Sequence, residues 1–155
     1  MDSTVLQTAT VEQAMHAYDS VTPDTPLTEA AAIMRDHHGR ALVVETADGS
    51  PAIFTEHDIV KVVSRGESLE GKTVGDHHTR VVIAAARDWS LGHAVDTMNT
   101  GKFRHLVVVD EGRTVGVIGM REILLAMLEP ADQDFLLHHP FDSFVAVETF
   151  LKAAV

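Results

Sequence analysis

Cysteine is absent from the 155 residues. That excludes disulfides and thiolate metal sites, and it fits a reducing compartment. Long apolar runs are missing too. No stretch approaches the roughly 20 residues a membrane span needs, and the opening MDSTVLQTATVEQAM has neither the basic start nor the apolar core of an export signal. Basic charge is scarce: 12 Lys and Arg stand against 23 Asp and Glu, a formal net charge of −11. Such a surface repels nucleic acid and anionic lipid, so neither is an expected partner. The chain also lacks a Gly-x-Ser-x-Gly elbow, a Walker loop and a cysteine nucleophile, and its Ser, His and Asp residues form no diagnostic arrangement. The expectation is a cytoplasmic protein that is not an enzyme.

What is present is an apolar fraction of 45%, enough to pack one domain or two small halves sharing a core. The few cations are not spread evenly. Lys102, Arg104, Arg113 and Arg121 fall within 20 residues, with His105 beside them. An anionic small ligand of so acidic a chain needs a local basic pocket of this kind.

The chain repeats itself at an offset of 64. Asp24 pairs with Asp88, Leu27 with Leu91, Ala30 with Ala94, Met34 with Met98, Arg40 with Arg104, Leu42-Val43-Val44 with Leu106-Val107-Val108, and Ile59 with Ile123. Upstream, Thr10-Val11 matches Thr73-Val74 at an offset of 63. Each copy predicts a helix (Leu27, Ala30, Ala31, Met34; Leu91, Ala94, Val95, Met98) opened in the first copy by Asp24-Thr25-Pro26. A strand follows at 41–44 or 106–109, then a turn at Ala47-Asp48-Gly49 or Asp110-Glu111-Gly112. A second strand covers 51–54 or 114–118. The last helix starts near Thr55 or Gly119 and carries Ile59, Val60 and Val63, or Ile123, Leu124 and Met127. SRGESLEGK, 64–72, reads as the connection. The predicted organisation is a first repeat over 1–66, a second over 67–130 and an extension over 131–155. A repeat of about 60 residues cannot cover its own small sheet, so two copies are expected to pack about a pseudo-two-fold axis, leaving clefts between them.

TVEQAM, TPDTPLTEAAAIM, GRALVV and IFTEHDIV in the first copy, with TVGD, LGHAVDTM, FRHLVVVDEGRTVGVIG and REIL in the second, carry a resemblance. In order, spacing and repetition the chain resembles a tandem pair of CBS domains, also called a Bateman module, over about Thr10 to Leu128. The resemblance implies an α+β or α/β fold of two βαββα-type repeats, frequent pairing into dimers, and adenosyl ligands in the inter-repeat clefts. The implied ligands are AMP, ADP, ATP or S-adenosylmethionine, with no required cofactor. It implies that Thr55 and Asp58, with His57 between them, hold ribose and phosphate, and that adenine lies near Val21-Thr22 and Ala41-Leu42. It further implies signalling to a protein effector by conformational change. The second copy departs from the pattern: Gly119 stands at the place of Thr55 and Glu122 at the place of Asp58. Its weaker site rests on Arg104, His105, Arg121 and Glu122, since arginine offers a bidentate fork to phosphate.

Other accounts stand beside these. Thr55-x-x-Asp58 alone describes a helix capping box, worth about 1 kcal/mol without any ligand. Within the repeat it is read as a binding pair. A site that has decayed into a ligand-free dimerisation module is the alternative function. The ten histidines include His37-His38, His77-His78 and His138-His139. Adjacent side chains point apart, and no His-x-x-x-His occurs, so no metal site is expected; a solvated or pH-responsive surface is the plainer role. Lys102, Arg104 and Arg121 are either phosphate ligands or solvated charges. Trp89 either stacks on a base or packs. In the extension, Asp142 or Ser143 opens a predicted helix carrying Phe144, Val147, Phe150 and Leu151, folded back on the module or shared with a second subunit.

Overall fold

The computed structural model describes residues 4–37, 41–80 and 83–128. Two short helices come first, α1 (Val5–Thr8) and α2 (Val11–Ala14). The first copy then runs β1 (Ser20–Val21), α3 (Leu27–Asp36), β2 (Ala41–Val44), β3 (Ala52–Thr55) and α4 (Glu56–Ser64). A 3-10 turn at Val74–Asp76 and a strand β4 (Thr79–Arg80) lead into the second copy: β5 (Ala85–Ala86), α5 (Leu91–Gly101), β6 (His105–Asp110), β7 (Arg113–Gly119) and α6 (Met120–Ala126). Both copies therefore have the order βαββα. In each, the first strand is parallel to the second and the second antiparallel to the third. The predicted helix of the extension, and Arg40, lie outside the described residues.

Helical spacing places the expected residues inward. Leu27, Ala30 and Met34 of α3 are buried, as are Leu91, Ala94 and Met98 of α5. The start of α5 is capped by Ser90, whose Oγ accepts from the His93 N–H at 3.1 Å. Both β-hairpins turn on glycines at positive φ, Gly49 at 70° and Gly112 at 77°, which a glycine adopts without steric cost. One helical face differs from the expectation. On α4 the buried apolar residue is Val62, with Ile59 packed partly against the core, whereas Val60 and Val63 are 58% and 57% exposed. Ile59 and Val62 are one helical turn apart and share the inward face; their neighbours Val60 and Val63 sit about 100° round the helix.

Each copy's leading segment is built into the other copy. Val11 is fully buried in the core of the second copy, with Leu91, Ala94, Leu106 and Ile118. Val74, its counterpart in the repeat, is fully buried in the core of the first, with Leu27, Leu42 and Phe54. The backbone obeys the same exchange. Val11 N–H donates to Trp89 O at 2.8 Å and Val74 N–H to Thr25 O at 2.9 Å. Leu91 N–H donates to Ala9 O at 3.0 Å and Leu27 N–H to Lys72 O at 2.9 Å. His16 bridges Val117 of β7, as Thr79 pairs with Ile53 of β3. These matched pairs are the pseudo-two-fold relation written in hydrogen bonds. Arg87 adds a side-chain clasp, donating to Asp110 Oδ2 at 3.0 Å and to Glu12 of α2. Those two carboxylates, Asp110 first, raise its pKa above the ordinary arginine value. Trp89 packs partly buried against the second core, its ring edge-on to His93 with centroids 4.1 Å apart.

Candidate functional site

At the C-terminal end of β3 the chain turns directly into α4, and Thr55 is the N-cap. Thr55 N–H donates to Asp58 Oδ2 at 2.9 Å, and the Thr55 hydroxyl donates to the same oxygen at 2.8 Å. The other carboxylate oxygen, Oδ1, accepts from Lys61 Nζ at 2.9 Å. Asp58 is only 4% exposed, and it is the one polar or charged side chain in the buried set among the described residues. A buried carboxylate is costly unless bonded, and here three donors meet it. The capping account of this quartet is thus physically realised. At the matching place β7 runs into α6, and Gly119 N–H donates to Glu122 Oε2 at 3.1 Å. Glutamate reaches the same backbone donor with one more methylene.

Thr55, His57, Asp58 and Lys61 open onto a cavity of about 1150 Å³ between the copies. Its far side belongs to the second copy: Met98, Lys102, Phe103, Arg104, His105, Val107, Arg121 and Leu124. Thr79, Arg80 and Ile83, in the stretch exchanged between copies, complete the wall beside Thr55. The cavity exceeds the roughly 300–1,000 Å³ typical of small-molecule pockets. Its charge is opposite to that of the chain. Lys61, Arg80, Lys102, Arg104 and Arg121 line it against only Glu56 and Asp58, on a protein of net charge −11. Lys102 and Arg104 have no ion pair within 4.0 Å among the described residues; Arg121 lies 3.8 Å from Glu122. Lys102 ends α5 in the left-handed region, φ 55°, an uncommon place for a residue other than glycine. Just before it, Gly101 leaves room for the Phe103 ring, which a Cβ there would strike.

Of the residues singled out in the sequence, Thr55, His57, Asp58, Lys102, Arg104, His105 and Arg121 line this one cavity. Glu122 stands behind it as a cap acceptor. Val21, Thr22, Ala41 and Leu42 do not line it. Val21 and Leu42 are buried in the first core, the Thr22 N–H is bonded to Thr25 Oγ1 at 3.0 Å, and Ala41 pairs across the sheet with Thr55. The apolar residues that do line it include Ile53, Ile83, Phe103 and Val107. Lys61, Arg80 and Ile83 were not singled out in the sequence. Lys61 was within reach, since it lies three residues after Asp58 on a helix. Arg80 and Ile83 arrive only through the exchange between copies. Among the described residues no three His, Asp or Glu side chains are grouped to share a metal ion, and no helix is long and apolar enough to cross a membrane.

Two βαββα units with exchanged leading segments, closing on a shared cationic cavity, define a tandem pair of one repeated domain. The model of the CBS domain matches this chain twice, over residues 11–65 and 74–129. The chain belongs to the CBS-domain family. It is 29% identical over 114 residues to a CBS domain-containing protein of Arabidopsis thaliana, covering 70% of this chain and 20% of that one. It is 31% identical over 109 residues to the inosine-5'-monophosphate dehydrogenase of Methanocaldococcus jannaschii, covering 68% and 21%. The chain thus spans about a fifth of the length of these curated relatives. Among solved structures, an uncharacterized conserved protein from Pyrococcus horikoshii aligns with a TM-score of 0.73 at 27% identity, over 83% of this chain and 96% of that one. A CBS domain pair crystallised with 5'-methylthioadenosine and S-adenosyl-L-methionine aligns with a TM-score of 0.67 at 25% identity, over 75% and 93%.

Proposed function

We propose that this chain is a non-enzymatic regulatory module that binds an adenosyl ligand carrying an anionic group, with no required cofactor. The observation that carries this reading is the inversion of charge in the cavity, five cations against two carboxylates on an acidic protein. Asp58 is the acceptor for the ribose hydroxyls and Ile53, Ile83 and Phe103 form the apolar wall for the base. Ligand hydroxyls take over the Asp58 oxygen that Lys61 now holds, and the freed ammonium turns to phosphate. Because the cavity is walled by both copies, a bound ligand shifts their relative packing, and a separate protein effector reads that shift. The solved CBS pair bound to methylthioadenosine and S-adenosylmethionine supports the ligand class.

Thermal shift against AMP, ADP, ATP and S-adenosylmethionine tests this directly. A ligand at 100 times its Kd is expected to stabilise by about 2.7 kcal/mol, on the order of 5–10 °C in Tm. The hydrogen bonds of Asp58 favour a second reading, a ligand-free dimerisation module in which that carboxylate is only a cap. Melting unchanged by every one of these ligands, in protein freed of co-purified nucleotide, decides for it.

Both readings include a homodimer. Val60 and Val63 on α4 leave apolar side chains exposed, a face suited to a second copy. Light scattering is expected to give twice the 16.8 kDa chain mass. A monomer persisting at high concentration rules the dimer out, and Val60→Lys/Val63→Lys is expected to produce one.

A further inference from the structure

Among the described residues five large apolar side chains are exposed, and three of them, Ile83, Met120 and Leu124, line the inter-copy cavity. They are 44%, 40% and 37% exposed, so they form its solvent-facing rim. Set among five cations, they make that rim apolar and positively charged at once. The chain carries the complement. Residues 129–155, outside the described residues, hold five acids (Glu129, Asp132, Asp134, Asp142 and Glu148) against Lys152 alone. They also hold four of the six phenylalanines, Phe135, Phe141, Phe144 and Phe150. The repeat narrows where such a segment can go. At the offset of 64, residues 129–144 correspond to 65–80. In the first copy that stretch buries Val74 in the first core and pairs Thr79 with Ile53. In the second copy those places are already taken, by Val11 in the second core and by His16 bridged to Val117. Residues 129–155 therefore need another apolar surface. The remaining exposed pair, Val60 and Val63, stands on α4, which carries two acids against one lysine. Charge favours the cavity rim.

We infer that the cavity rim is the docking site for residues 129–155 of the same chain, which act there as an internal competitor of the anionic ligand. The acids of the segment answer the cations of the cavity, and its phenylalanines cover Ile83, Met120 and Leu124. Continuity places the segment in its own chain. Leu124 of α6 is on the rim, and α6 ends at Ala126. An extended chain covers about 3.3 Å per residue, so a few residues past the helix bring the segment back to the rim. The docking stands on the rim and the segment alone; the competition rests on the proposed nucleotide function. A ligand then has to displace the segment before it draws the two copies together, and binding converts a covered rim into a released segment.

A chain without cysteine allows a single thiol to report on the rim. In the full chain, Met120→Cys puts that thiol on the rim, and its rate of alkylation by N-ethylmaleimide reads whether the rim is covered. The rate is expected to rise about tenfold when Phe144→Ser/Phe150→Ser is added, and likewise when Asp132→Lys/Asp134→Lys is added instead. A thiol at Val108→Cys, a fully buried position of the second core, is expected to stay unreactive in all three backgrounds, so that unfolding does not pass for uncovering. By calorimetry, both extension variants without the added thiol are expected to bind ATP about tenfold more tightly than the wild type. Equal rim alkylation in all three backgrounds overturns the docking. So does a Val108→Cys thiol that reacts in both extension variants, because the segment then belongs to the core. Protection that is lost on dilution assigns the rim to the segment of a second copy and overturns the same-chain placement. Lost protection with unchanged ATP affinity overturns the competition. A protected rim in a chain that binds no ATP, with or without the extension changes, upholds the docking and sinks the proposed function.

Discussion

Asp58→Ala is expected to abolish the ligand-induced rise in Tm, while Glu122→Ala leaves it nearly intact. The asymmetry follows from where the two carboxylates stand. Asp58 lines the cavity and offers an oxygen whose present partner, Lys61 Nζ, can be exchanged for a ligand hydroxyl. Glu122 is engaged with the Gly119 N–H and does not line the cavity. Hydrogen bonds to a charged acceptor contribute about 1.5–3 kcal/mol each. Losing the acceptor of two ribose hydroxyls therefore weakens binding by about a hundredfold or more. The substitution also removes a cap at a cost of about 1 kcal/mol, so the unliganded melting temperature must be measured beside the liganded one. Asp58→Asn separates the two effects: it keeps an oxygen for the Thr55 N–H but gives up the charge. It is expected to melt within about 1 kcal/mol of the wild type and still to bind weakly. Equal losses from Asp58→Ala and Glu122→Ala would defeat the ranking of the two sites.

The internal repeat made most of the fold legible. Leu27 and Leu91, Ala30 and Ala94, and Met34 and Met98 match at one offset and at helical spacing, and all six are buried. Local chemistry was equally readable at the two hairpin turns, where Gly49 and Gly112 act through the absence of a side chain. The inward face of α4 was not, because Ile59, Val60, Val62 and Val63 are all apolar and the pattern alone does not say which pair faces the sheet. The composition of the cavity was legible only in part. Thr55, Asp58, Arg104 and Arg121 stand in repeat-related motifs, and they meet because strand ends from both copies converge. The wall formed by Arg80 and Ile83 depends on which copy a leading segment joins. A match of Thr10-Val11 to Thr73-Val74 establishes that the segments are alike, and it is silent on where they dock. Val21 and Leu42, by contrast, are apolar residues that the core takes up rather than the cavity.

Deleting residues 1–16 is expected to unfold the second copy, the largest stability effect of any change considered. The exchange of leading segments makes this a claim about the far half of the chain. Val11 is fully buried among Leu91, Ala94, Leu106 and Ile118, and Val5, Leu6, Ala9, Ala14 and Met15 pack partly against the same cluster. At about 25 cal/mol per Å² of apolar surface, side chains of this size contribute on the order of 5 kcal/mol together. That is a large share of the 5–15 kcal/mol that stabilises a typical domain. The backbone loses as well, since Leu91 N–H and Val117 N–H donate to Ala9 O and His16 O. The close fit leaves no easy substitute: a Cβ at Gly92 would lie 2.9 Å from Leu6 O, and one at Gly116 2.9 Å from Met15 Sδ. Hydrogen exchange on the truncated chain is expected to show protection lost first in β5, β6 and β7. Protection in β1 to β4, whose core holds Val74 rather than Val11, is expected to outlast it. A synthetic peptide of residues 4–16 added in trans is expected to restore the lost protection by mass action. Truncation that loosens β1 to β4 first, or that leaves Tm unchanged, would show that the leading segment stabilises its own copy and not the other.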